Sequence, residues 1–182
     1  MKKRYRFKQA STEDELDQIF RLNHSVFAGE LEQYPELPSG RLVDKFHDKN
    51  TYLIALCEGA VIGMIALHDQ PPFSVAGRLA DAHASLAGLG RLMEVRMLAV
   101  RPAHRNGRVM AGLLLALYEH VRGYDTVVIS GHAGKARIYH ELGFEDLGPA
   151  VKSGEAVYIP MAVRVADLSE RQARWERRLA RA

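Results

Sequence analysis

Between Glu94 and Gly123 the apolar positions change their period. Residues 95–100 form a short, continuous apolar run bounded by Pro102, the pattern of a buried strand. From Val109 onward the apolar residues fall at Val109, Met110, Leu113, Leu114, Leu117 and Val121. That is the spacing of a helix, which Gly123 stops. Upstream, residues 4–9 alternate as a first strand. Thr12 with Glu15 carries the signature of a capping box, and Ser11 with Asp14 offers a second register of it. The helix this announces puts Leu16, Ile19, Phe20, Asn23 and Phe27 on one face, opposite Asp17, Gln18, Arg21 and His24. Residues 30–40 hold two prolines and read as loop, and residues 42–46 as one helical turn. Residues 51–57 and 61–67 flank Glu58-Gly59 as a β-hairpin.

Residues 69–90 form an insertion before the central strand, opened by Pro71 and Pro72, with helical spacing over 79–86. A segment of this length beside a site is either a lid or acceptor wall, or a surface excursion without a role. Beyond the central helix, residues 124–130 read as a buried strand and 133–142 as a helix stopped by Gly143. Strands follow at 144–146 and 156–165. Residues 167–182 read as a basic amphipathic helix or tail whose stripe of Leu168, Trp175 and Leu179 docks on the domain or on a second subunit. Hairpin and crossover segments are mixed, so the order predicts an α/β class fold: a central mixed sheet flanked by helices on both faces.

Composition narrows this little further. A chain of 182 residues, 47% of them hydrophobic, suits one domain with a sizeable core, placed at 1–166 with 167–182 as an appended helix. The net charge of +3 implies no nucleic-acid partner. The basic residues crowd the ends, at Lys2, Lys3, Arg4, Arg6 and Lys8 and again at Arg171, Arg174, Arg177, Arg178 and Arg181. These are either solvated termini or a platform for an acidic partner. Cys57, the single cysteine, lies in an apolar run as a buried inert thiol; no intramolecular disulfide is possible, which fits a reducing cytoplasm. The basic start has no apolar core behind it, so it is no signal peptide, and no run is long enough to span a membrane. The eight histidines show no metal-binding spacing.

The candidate chemistry sits at the turn Arg101-Pro-Ala-His-Arg-Asn-Gly-Arg108. A strand, a basic turn and a helix starting at a glycine make an anion site, because the N–H groups of the first helical turn, the helix dipole and the arginines all favour negative charge. Asn106-Gly107 also fits a hairpin turn, but the helical period after it argues for a strand-to-helix elbow. An elbow that binds nothing remains open on this segment alone.

This stretch resembles motif A of the GNAT acyltransferase superfamily, in which a strand ending V-x-P-x-x-R leads into a glycine-rich loop around the pyrophosphate of coenzyme A. Val100, Pro102, Arg105 and Val109 occupy the matching places; Arg108 and Met110 stand where the family has glycine, and Gly107 is displaced by one. Arg137-Ile-Tyr-His-Glu-Leu-Gly-Phe144 resembles the family's motif B, L-Y-x-x-x-G-F. The resemblance covers residues 3–166 and implies the GNAT fold and N-acyl transfer, with acetyl-CoA or a longer acyl-CoA as co-substrate and a small amine as acceptor. It implies Tyr139 as the acid protonating the leaving thiolate and Glu94 as the base for the amine, although Glu94 could equally pair with Arg96 or Arg91. It places a backbone donor for the oxyanion near Leu98 or Ala99, with Val100 also along the cofactor. Arg105, Asn106, Gly107, Arg108, Val109 and Met110 would lie at the pyrophosphate, and His132, where the family often has asparagine, at the pantetheine arm. Arg101 and His104 would meet the nucleotide or be solvated.

The N-terminal third is similar in layout to the acyl-homoserine-lactone synthases and the bacterial N-acyl amino acid synthases, which take acyl chains from acyl carrier protein. Arg21, Phe27, Asp44 and Asp48 would correspond to their substrate residues, with Arg96 as a further contact. That resemblance makes a carrier-protein donor the alternative to coenzyme A. A non-catalytic acyl-CoA-binding module is a reading of another class. A nucleic-acid-binding domain has no motif to support it. The expectation is a cytoplasmic, bacterial-type enzyme without metal, with a homodimer possible.

Overall fold

The computed structural model describes residues 4–180. Among these, the regular elements are β1 (Tyr5–Gln9), α1 (Glu13–Asn23), β2 (Thr51–Cys57), β3 (Ala60–His68), α2 (Ala82–Leu86), β4 (Leu92–Val100), α3 (Arg108–Val121), β5 (Thr126–His132), α4 (Ala136–Glu141), β6 (Glu145–Asp146), β7 (Val151–Ser153), β8 (Ala156–Arg164) and α5 (Val165–Ala180). The strands hydrogen-bond in the order β1-β2-β3-β4-β5-β8-β6, with β7 on β8. The sheet is mixed: β4 runs parallel to β5, whereas β1–β2, β5–β8, β6–β8 and β7–β8 are antiparallel. The chain forms two compact units.

The first unit comprises Met1–Ala66, Met97–Leu117 and Ala173–Ala182. Its α1 begins at the expected capping box in the Thr12/Glu15 register: the Thr12 side chain accepts from the Glu15 N–H and the Glu15 carboxylate reaches back to the Thr12 N–H. Ile19, Phe20 and Leu22 of α1 are buried with Tyr52, Ile54 and Leu56 of β2. Phe7 pairs in register with Ala55, so it points to the other face of the sheet. There α3 packs close, because Gly112 leaves room for the Phe7 ring and Gly63 for Val109 and Leu113. A Cβ on Gly63 would stand 3.1 Å from Leu113. Helices therefore cover both faces of this unit.

The helical face expected through Phe27 continues past α1 as a π-helical stretch, His24–Glu30. Its wider turn ends with the Leu31 N–H on the Val26 carbonyl. The helical turn expected at 42–46 forms further on: Leu42 buries its side chain and donates its N–H to the Phe20 carbonyl, the chain turns with the His47 N–H on the Asp44 carbonyl, and a 3₁₀ turn follows at His47–Lys49.

The second unit comprises Leu67–Arg96 and Tyr118–Gln172. The insertion forms a 3₁₀ turn, Ser74–Arg78, and then α2, whose start is capped by the Asp81 side chain on the Ala84 N–H. Val75, Phe73, Leu86 and Leu89 bury one sheet face around Val128 and Ala162. Glu94 is in register with Val128 and Val128 with Ala162, so Glu94 points to this same face. On the other face Gly131 lets the Tyr139 ring of α4 lie against the strand beside Met161. The helix expected over 133–142 opens as a 3₁₀ turn, Ala133–Lys135, and closes at Gly143, whose φ of +93° is the left-handed cap position. The short strand β7 is additional to the expected elements, as half of a hairpin turned at Gly154. In α5, Val165, Leu168 and Trp175 are buried within the chain itself.

Among the described residues no helix is long and apolar enough to cross a membrane, and no group of three His, Cys, Asp or Glu side chains is placed to hold a metal ion.

Candidate active site

The second unit holds a carboxylate at its centre. Glu94 is fully buried, with 0% of its surface exposed. Its Oε1 accepts from the Ser74 hydroxyl at 2.8 Å and the Val75 N–H at 2.7 Å; its Oε2 accepts from the Ser74 N–H at 2.8 Å and His68 Nε2 at 3.0 Å. An ionised carboxylate only accepts, so the network assigns the His68 proton to Nε2. Burial by itself would raise the Glu94 carboxyl pKa, but the bonds from His68, Ser74 and Val75 together outweigh it and hold the group below its ordinary value. The Arg–Glu pairing considered from the sequence is replaced by this His68–Ser74 cage, because the insertion brings the first N–H groups of its 3₁₀ turn onto the carboxylate. The His68 ring stacks on Phe73, 5.6 Å between centroids, which closes the cage on the insertion side.

Tyr139 lies on the opposite sheet face. Burial pushes its phenol pKa up, the backbone N–H of His132 donates to its oxygen and partly offsets this, and the neighbouring Tyr158 adds to the rise. His132 Nδ1 accepts the Gly134 N–H at 3.1 Å. In the neutral ring that bond leaves the proton on Nε2, so the free edge of His132 is a donor. Tyr158 is the cross-strand partner of His132, its ring edge-on to the imidazole at 5.9 Å. The guanidinium of Arg78 also lies over the Tyr158 ring, 4.5 Å from its centroid. Arg78 comes from the insertion and donates through Nη1 to the Ser74 carbonyl at 3.1 Å. The structure thus places Tyr139 and His132 together but sets Glu94 and Tyr139 on different faces of the sheet.

The basic elbow belongs to the first unit. Val100 is buried, Ala99 is buried, and Leu98 is half-buried. The Val100 carbonyl accepts from Arg105 Nε at 2.9 Å, and the rest of that guanidinium forms a two-armed pair with Glu30, each bond 2.6 Å long. Glu30 ends the π-helical stretch, so the N-terminal layer and the elbow meet through this ion pair. Asn106 caps α3, its Oδ1 accepting the Arg108 N–H at 3.1 Å, while its Nδ2 donates to the Tyr5 hydroxyl. Gly107 has a φ of +79°, and the Arg178 guanidinium lies against it, so near that a Cβ there would stand 2.5 Å from Nη2. Arg108 Nε donates to the Leu179 carbonyl. Val109 is fully buried and Met110 half-buried. Arg101, whose Nε bonds the Val61 carbonyl, is committed to β3. The elbow is thus built as expected, but its polar groups are engaged by Glu30, Asn106 and the last turn of α5.

Of the residues expected at the acceptor, Arg21 is exposed and paired with Asp17 at 2.6 Å. Phe27 is buried in the core of the first unit. Asp44 is buried and accepts from Asn50 Nδ2 at 2.7 Å. Arg96 is half-buried and belongs to the second unit. Sequence reasoning did not single out Ser74, Arg78, Tyr158 or Glu30. Ser74, Arg78 and Glu30 sit in no periodic pattern or motif, Tyr158 is one residue of an expected strand, and the role of each becomes visible only through a partner more than a dozen residues away. An open hollow of about 570 Å³, lined in part by Tyr118, Tyr124, Asp125, Arg164 and Ser169, lies at the first residue of β5, the end opposite His132.

No curated protein matches the sequence significantly. Solved structures do. The CoA-dependent acyl-homoserine lactone synthase BjaI, in a complex with SAM and isopentyl-CoA, is 25% identical with a TM-score of 0.69, covering 90% of this chain and 83% of that one. FeeM, an N-acyl amino acid synthase from uncultured soil microbes, superposes with a TM-score of 0.75 at 16% identity over 96% of this chain and 98% of its own. A putative N-acetyltransferase from Lactobacillus plantarum gives 0.65 at 16% identity, over 88% and 98%. These likenesses confirm the GNAT architecture: a central mixed sheet flanked by helices. The family model described as N-acyl amino acid synthase FeeM matches residues 18–164. Since that match takes in most of the sheet, the Glu94 cage, Tyr139 and the elbow, the chain belongs to the FeeM family of N-acyl amino acid synthases within the GNAT superfamily.

Proposed function

We propose that this chain moves an acyl group from a thioester to the primary amine of a small amino-acid-like acceptor, by direct attack of the amine on the thioester carbonyl. The observation that carries the reading is the Tyr139 phenol, whose ring lies against Gly131 near the end of β5 and which burial keeps protonated. The reaction forms a C–N bond and breaks a C–S bond; the departing thiolate takes a proton from the phenol, and the proton that the nitrogen sheds on forming the amide passes to solvent, from which the phenol is restored. A phenol whose pKa lies above its ordinary value of 10 keeps its proton at neutral pH and can deliver it. His132, with its proton on Nε2, is a donor suited to the donor's amide arm or to developing negative charge.

Glu94 takes a different part from the base first expected of it. Both its oxygens are saturated and enclosed, so it could take a substrate proton only by surrendering a bond from Ser74, Val75 or His68. We assign it to holding the insertion in place, and the acceptor enters as the free amine. On that account kcat/KM rises with pH toward the amine's own pKa in Glu94→Gln as in the parent chain.

A donor bearing coenzyme A is supported by the likeness to BjaI, whose complex holds isopentyl-CoA. A second reading, in which the acyl chain arrives on a carrier protein, is favoured by one observation. The elbow's polar groups are already engaged by Glu30, Asn106 and the Leu179 carbonyl, which leaves less for a nucleotide's pyrophosphate to claim. Incubation with acyl-CoA and acyl-carrier thioesters across a panel of amino acids, reading thiol release and product mass, tests both. N-acyl product with either donor is expected; thioesters left intact with every amine would sink the acyltransferase reading. Which donor turns over then decides between the two.

A further inference from the structure

We propose that Arg78 is the residue that recognises the acceptor's carboxylate, and so selects amino acids over simple amines; this rests on the amine-acylation reading above. Arg78 has one of its nitrogens bonded, Nη1 to the Ser74 carbonyl. Its Nε is buried with no hydrogen-bond partner, and no acidic side chain stands against it among the described residues. A buried N–H on a cation without an acceptor is costly, and native structures retain few of them. The unfilled edge, Nε with Nη2, is the one that takes a carboxylate in two parallel bonds.

The surroundings fit that role. The guanidinium carbon stands 4.5 Å from the Tyr158 ring centroid, a cation–π contact that anchors the cation without using its N–H groups. Tyr158 is the cross-strand partner of His132, and its ring meets the imidazole edge-on. The cation therefore stands one cross-strand pair from the His132 ring, on the sheet face opposite the Tyr139 ring and within a single unit of the chain. In an amino acid the carboxylate is one carbon from the attacking nitrogen, so a cation near the reacting centre meets the acceptor, whereas the phosphates of a thioester donor lie at the far end of its arm. Arg78 is in turn positioned by Glu94: the carboxylate fixes Ser74 and Val75, and the Ser74 carbonyl fixes Nη1. The fully enclosed glutamate and the insertion then have one purpose, to present this guanidinium.

The test compares each amino acid with its carboxamide, which keeps the amine and the side chain but removes the charge. The parent chain should favour the free acid by about 10- to 100-fold in kcat/KM, the range of a charge-assisted hydrogen-bond pair. Arg78→Gln should erase the preference by raising KM for the acid, with carboxamide turnover and donor KM unchanged. Arg78→Lys should restore part of it. An acid-to-amide ratio unmoved by Arg78→Gln, or a parent chain that treats both alike, overturns the proposal. So does a rise in donor KM at a constant ratio, which would assign the cation to the donor. If Arg78→Gln loses turnover of both acceptors, the ratio in Arg78→Lys decides: retained preference supports the carboxylate role and a flat ratio overturns it. Absence of thiol release with any amine would bring down the acylation reading itself, a result distinct from release with a flat ratio.

Discussion

The elbow of the first unit and the glutamate cage of the second solve the same problem with opposite materials. In each, N–H groups at the start of a helical turn need acceptors. At the elbow the acceptor is the neutral Asn106 side chain, set beside an exposed Arg105–Glu30 pair with 41% and 39% of those side chains open to water. In the cage it is an ionised carboxylate with no surface at all, serving Ser74 and Val75. Exposed pairs contribute little and exchange readily with solvent or ligand. A buried charge that loses its partners is far more costly. The elbow is thus built to trade partners, and the cage is built to keep them. An arginine-rich turn and a strand-start glutamate therefore cannot be given roles from residue type alone, because burial decides which of them can meet a substrate.

The strongest way to break this comparison is through Tyr139. Tyr139→Phe keeps the ring against Gly131 but removes the proton, and kcat should fall by about 10²- to 10⁴-fold with donor KM little changed. Steady-state kinetics reads this, and undiminished turnover removes Tyr139 from the acid's role. Next comes the cage. Glu94→Ala strands the His68, Ser74 and Val75 donors in the interior and should cost about 3–5 kcal/mol in a denaturant titration. A loss below about 1 kcal/mol would mean that the cage is no more committed than the elbow. The same carboxylate sets an acid limit. Its folded pKa lies below the ordinary value of 4.5, so its contribution is present above that pH and is lost as pH falls through the lowered pKa. Stability measured from pH 6 downward should therefore fall off below about 4.5, and Glu94→Gln should flatten that limb.

Most of the sheet could be read from period alone. The run at Thr51–Cys57 is apolar and β-branched enough to fix both its ends, and the Thr12/Glu15 capping box marks the start of α1 to the residue. The turn before α3 was legible because a strand's proline and a helix's first apolar residues bracket it. What could not be read was who meets whom. Arg78 carries no periodic or motif signal, since its meaning lies in a ring eighty residues onward. Glu94 looked like an accessible strand-end carboxylate because the insertion that buries it has no strong pattern of its own. The π-helical stretch escaped for a related reason: Asn-His-Ser-Val-Phe-Ala-Gly has weak helix propensity, so burial of Val26 and Phe27 sets its width. Tertiary contacts decide such positions, and a single sequence does not record them.

The smallest expected effect sharpens the comparison most. Glu30→Ala removes the acid that engages Arg105 but leaves Arg105 Nε on the Val100 carbonyl, so the arginine stays in place with its outer edge free. The pair is exposed, so stability should drop by only about 0.2–1 kcal/mol, and by less at high salt. If a donor's phosphates bind at the elbow they now meet no competing carboxylate, and KM for an acyl-CoA should fall by up to about fivefold, the equivalent of that same pair energy. If the donor is a carrier protein whose contacts lie elsewhere, KM should not move, although the stability change is the same. Pairing the two measurements on one variant separates an elbow that trades its partner for a phosphate from one whose ion pair serves only to fasten the π-helical stretch to the turn.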